Sequence, residues 1–122
     1  DREAKSRKSD DELMKLASAV LAEHLPDFDL TERPKSITWR SMRERWGSCT
    51  TVDRTIRISD RLTSAPLYAL KHVILHELIH LRIADHGAEF AALLARDPDR
   101  ARADAFLEGF ELGSSGNSDI YL

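Results

Sequence analysis

The chain has 122 residues, a net charge of −3 and 42% hydrophobic residues, which suits one compact domain with a modest core. No apolar run reaches the ~18 residues of a membrane-spanning helix, and the charged start DREAKSRKSD holds no apolar stretch of the signal-peptide kind. Cys49 is the single cysteine, so an internal disulfide is excluded and a reducing, cytoplasmic setting is the expectation.

Residues 1–8 and 113–122 read as loose tails around a single domain, the second tail being rich in Gly and Ser. Ser9, with Glu12 three residues on, forms a capping-box pattern. The helix it opens carries Leu13, Leu16, Ala17, Val20 and Leu21 on one face and runs to about Leu25, where Pro26 stops it. DFDLTERP is a connector. From Lys35 the texture changes: SITWRSMRERWGSC and TIRIS alternate apolar with polar residues and are rich in β-formers, so they read as strands joined by a turn at TTVDR. TSAP then introduces a second helix, with Ser64 as candidate N-cap and Pro66 in the first turn. This helix is expected over residues 66–83, followed by a turn at ADHG. A third helix starts near Ala88. Asp97 and Pro98 break it and open a fourth, to about Glu111.

The stretch HVILHELIHLRIADHGAEF holds His72, His76, His80 and His86, four of the five histidines. His76 and His80 are four apart, so both leave one face of the second helix, and Glu77 sits beside the first. This is H-E-x-x-H, in which two imidazoles one turn apart meet a zinc ion while the glutamate handles a water beside it. Val73, Ile74, Leu78, Ile79 and Leu81 make the helix apolar around most of its circumference, which places it centrally, and buried histidines need partners. A catalytic zinc takes three protein ligands and keeps one position open. His86, brought back by a turn at Ala84–Asp85, is the expected third ligand; Glu89, Glu108 and Glu111 are the acidic competitors. His72 is expected to pack or hydrogen-bond beside the site rather than ligate, since a fourth histidine would close it. His24 has no motif around it. Cys49 lacks the surroundings of a nucleophile.

The succession RWGSC (Arg45–Cys49), TIRIS, HELIHL and HGAEF resembles the YgjP-like metallopeptidase domain, a small zincin family related to the SprT-like and Spartan proteases. The resemblance covers roughly residues 35–95. It implies zinc held by His76, His80 and His86, Glu77 as general base, and an α+β fold with a short antiparallel sheet packed on the HExxH helix and further helices around it. The HGAEF segment is similar to the third-ligand segment of Spartan-type proteases. Zincins lay substrate along an edge strand, and the resemblance suggests TIRIS for that role, by strand addition. The chain departs from the family pattern in three places. The TTVDR turn has no Gly, His72 stands where Tyr is frequent, and Ala91 follows Phe90 where Trp is frequent.

The expected activity is hydrolysis of peptide bonds in a peptide or protein substrate. Arg82, His72 and Tyr121 are candidates by type for stabilising an oxyanion. Trp46 reads as a packing residue, and Gly47 as a place where backbone passes close to something bulky, Trp46 or the helix. A second class of function comes from charge. Between residues 33 and 61, Arg33, Lys35, Arg40, Arg43, Arg45, Arg54, Arg57 and Arg61 face only Glu44, Asp53 and Asp60. Such a stripe is either a phosphate-binding footprint for DNA or a solvated strand face. The alternative function is therefore a non-proteolytic zinc-binding module that contacts DNA or a partner protein.

Overall fold

A computed structural model describes residues 9–114. The expected tails at 1–8 and beyond residue 114 lie outside the described residues. Helix α1 spans Asp10–His24. Its start is the expected capping box: Ser9 Oγ accepts from the Glu12 amide at 3.1 Å, and the Glu12 carboxylate accepts from the Ser9 amide at 3.1 Å. Each such cap stabilises a helix by about 1 kcal/mol. Leu13, Ala17, Val20 and Leu21 are buried on its inner face.

Three strands follow: β1 Ser36–Arg40, β2 Gly47–Thr50 and β3 Thr55–Ser59. They form one sheet in the order β1-β3-β2, with β1 parallel and β2 antiparallel to β3. The sheet is thus mixed, where a purely antiparallel one was expected. The reason lies in residues 41–46, which carry the chain past the end of β3 to its far side. Ser59 at that end holds them: its hydroxyl donates to the Met42 carbonyl at 2.9 Å, and its amide donates to the Trp46 carbonyl at 2.9 Å. TIRIS is therefore the central strand, with Ile56 and Ile58 fully buried, and cannot be the substrate-pairing edge. The edge nearer the helix is β2.

Helix α2, Leu67–Ile79, is the centre of the molecule. It touches α1, β2, β3 and both later helices. Nine of its thirteen residues are buried, Glu77 and His72 among them. Pro66 occupies the N-cap position and no side chain caps the helix there, so Ser64 does not serve. The C-terminus comes four residues earlier than expected. The Leu81 and Arg82 amides reach back only three residues, to Leu78 and Ile79, so the helix tightens and ends. Helices α3 (Ala88–Leu94) and α4 (Arg100–Ser114) complete the α+β fold. An Asp97 carboxylate that accepts from the Asp99 amide at 2.9 Å turns the chain between them. Helix α4 extends past Glu111 into the start of the stretch read as a tail.

Candidate metal centre

His76 and His80 project from the last turn of α2, as their spacing requires. The tightened helix end lets the chain double back. Ile83 lies over the helix end, its amide on the Ile79 carbonyl at 2.9 Å. The turn that follows returns His86 to the same spot, with its Nε2 3.1 Å from Nε2 of His80. One nitrogen from each of His76, His80 and His86 lies within 4.8 Å of the others. Two imidazole nitrogens sharing a tetrahedral zinc, each about 2.0–2.1 Å from the ion, stand about 3.3 Å apart. The donor set therefore fits a zinc-sized ion. Nδ1–H of His80 donates to the Ile83 carbonyl at 3.0 Å, which leaves Nε2 free as a ligand atom. Burial, with the other two imidazoles nearby, holds the His80 pKa below its ordinary value, which favours the neutral, ligating form.

Phe90 is the floor of this cluster. Its ring centroid is 4.9 Å from that of His76 and 4.8 Å from those of His80 and His86, and the residue is buried. The HGAEF pattern drew attention to Phe90 without giving it a role. Its place four residues after His86, at the start of a helix, was the available signal. Glu89 and Glu108 are exposed, Glu111 lies 3.5 Å from Arg61, and none of these competitors belongs to the cluster.

Glu77 is buried beside His76, its Oε2 3.2 Å from His76 Nδ1. Gly47 makes room for it: a Cβ on Gly47 would stand 3.0 Å from Glu77 Cγ and 3.1 Å from its Oε2. The bulky neighbour of Gly47 is thus the glutamate of the helix motif. A groove of about 480 Å³ opens between the histidine cluster and β2, bordered by Gly47, Ser48, Cys49 and Glu77. Burial, and then the charge of Glu77, pushes the Cys49 thiol up to about 11, so it stays protonated and is a poor nucleophile.

His72 does not join the cluster. It is 4% exposed, with Nδ1 3.1 Å from an Asp97 oxygen and Nε2 3.2 Å from an Asp104 oxygen. Arg82 is bound to Asp27 and Glu32 and does not border the groove; Tyr121 lies outside the described residues. Arg45 is the arginine that borders it. His24 sits at the core edge near Glu23.

Five of the eight bases between residues 33 and 61 are engaged within the chain, Arg40 by donating from Nε to the Thr38 hydroxyl at 3.3 Å. Arg33 and Arg54 donate to the Phe28 and Leu30 carbonyls at 3.0 and 2.7 Å. Arg57 donates to the hydroxyls of Ser48, Thr50 and Thr55. Arg61 lies 4.0 Å over the Trp46 ring, and Trp46 in turn packs edge-on against Phe110, as a packing residue should.

A histidine cluster on an HExxH helix beneath a small sheet is the framework of a zincin-like metallopeptidase. The chain belongs to the YgjP-like metallopeptidase domain family, whose model matches residues 1–108, a wider span than the motifs alone covered. Its fold is similar to the crystal structure of the metallopeptidase zymogen of Methanocaldococcus jannaschii jannalysin, with a TM-score of 0.57 and 20% sequence identity over 77% of this chain and 93% of that one. No curated protein matches the chain. No helix among the described residues is long and apolar enough to cross a membrane.

Proposed function

We propose that the chain is a zinc-dependent peptidase in which His76, His80 and His86 hold the ion and Glu77 is the general base. The observation that carries this is the convergence of three imidazoles beside a buried glutamate, at a groove bordered by an edge strand. Bound zinc would polarise a scissile carbonyl and acidify a water molecule. Glu77 takes the proton of the attacking water and returns it to the leaving amine. Gly47 and the buried wall of α2 fix where its carboxylate lies. Among the described residues strand β2 has a neighbour on one side only, so an extended peptide pairs along its other edge. Arg45 places a positive charge near the groove, where an oxyanion develops.

The test is Glu77→Gln. Glutamine keeps the shape but accepts no proton at neutral pH. One zinc per chain is expected in both proteins by metal analysis, with hydrolysis of an unstructured protein substrate reduced about 10²-fold or more in the variant. Equal turnover would remove Glu77 from the mechanism. A zinc-loaded parent that cleaves no peptide would favour a non-proteolytic zinc module over a peptidase.

A further inference from the structure

A second cavity, of about 340 Å³, opens on the other side of His76 and Glu77. Arg45, Gly47, His76 and Glu77 border both this cavity and the groove, so the two adjoin at the candidate catalytic residues. Its wall is made by Trp46, Val73, His72, Asp104 and Leu107. Two of these are polar, and they are already partnered. His72 Nε2 faces Asp104 at 3.2 Å and His72 Nδ1 faces Asp97 at 3.1 Å, so neither ring nitrogen is left to greet a ligand. What the wall offers is the indole of Trp46 and the aliphatic surfaces of Val73 and Leu107.

We infer that this cavity receives the apolar side chain, of leucine or phenylalanine size, of the substrate residue next to the scissile bond, and that Leu107 sets the size accepted. The inference rests on the peptidase reading, because that reading places the scissile bond at Glu77. The cavity volume falls in the range of pockets that bury most of a small ligand. An aliphatic or aromatic side chain gains affinity there by leaving water, about fourfold for each carbon buried.

The experiment measures binding, so its outcome does not depend on turnover. Zinc-loaded protein is titrated calorimetrically with three hydroxamates that share the metal-binding head and carry a methyl, an isobutyl or a benzyl group. The ratio of isobutyl to methyl affinity is expected to be roughly 10 or more, and to fall to near one in Leu107→Trp, where the indole fills the cavity. If that variant fails to fold, Leu107→Ala decides: a widened cavity should raise benzyl affinity relative to isobutyl. Binding of all three probes with equal affinity overturns the pocket and leaves the peptidase reading standing. Absence of zinc, with no probe bound, overturns the metal reading and the pocket with it.

Discussion

Gly47 and Glu77 belong together, although thirty residues separate them in the chain. Glycine here is not a matter of backbone freedom but of close approach, because any side chain would press on the carboxylate and on the Arg57 carbonyl, 3.2 Å away. Backbone gives little, so Glu77 is the group that moves. Gly47→Ala is therefore expected to keep its zinc and to lose turnover, though less than the ~10²-fold of a full ångström's misplacement, since contacts of 3.0–3.2 Å ask the carboxylate to give only slightly. Steady-state kinetics beside metal analysis would check it, and wild-type turnover in the variant would show that Glu77 tolerates displacement. Phe90 acts on the other half of the site, since all three imidazoles lean on its ring. Phe90→Leu keeps an apolar residue but removes that flat support. Zinc affinity, read by competition with a chelator, should fall about tenfold while unfolding shows a loss of less than about 1.5 kcal/mol.

At the scale of elements, the β2–β3 hairpin explains the missing glycine in TTVDR. Arg54 takes the left-handed conformation itself, with φ of 57°. Its guanidinium donates to the Leu30 carbonyl and its own carbonyl accepts from the Lys35 amide at 2.7 Å, which holds the turn in place. A left-handed residue with a Cβ costs about 1–2 kcal/mol. Arg54→Gly should thus be about 1 kcal/mol more stable than Arg54→Ala in urea unfolding, even though glycine loosens the unfolded chain. Both variants lose the same guanidinium, so the comparison isolates the backbone. Equal stability would mean that the turn relaxes away from the left-handed geometry.

Across the whole molecule, Arg82 ties the end of the HExxH helix to the loop after α1. Its Nε and Nη2 each donate to Glu32 at 2.8 Å, its Nη1 donates to Asp27 at 3.0 Å, and it lies 4.1 Å over the Phe28 ring. The hydrogen bonds to Arg82 are the main reason that the Asp27 and Glu32 carboxyls titrate below their ordinary values of 3.8 and 4.5. Carboxyls depressed in the folded state contribute stability above those ordinary values and lose it as pH falls through the folded ones. Arg82→Met should lower stability at pH 7 and flatten its decline below about pH 4.5. The effect is modest because both carboxylates are solvated. Denaturant midpoints measured from pH 7 to 3 would check it; parallel curves for the two proteins would place the acid sensitivity elsewhere.

Much of this molecule follows from local pattern. The capping box at Ser9 and the start of α3 are properties of neighbouring residues, and so is the i, i+4 pairing of His76 with His80. Short-range geometry sets them all, and they stand where the sequence puts them. The end of α2 depended on more than its own residues: apolar periodicity continues through Ile83, yet the His80 ring captures the Ile83 carbonyl and the helix tightens before it. Strand order was equally out of reach, because alternation marks a strand without naming its neighbours. Only the hold of Ser59 on the connector beyond β1 puts TIRIS at the centre and β2 at the edge. The same long-range packing decided that Gly47 faces Glu77, that Phe90 underlies three histidines, and that His72 turns to two aspartates instead of the metal site. Those contacts join residues far apart in the chain, and a one-dimensional pattern carries no distance between them.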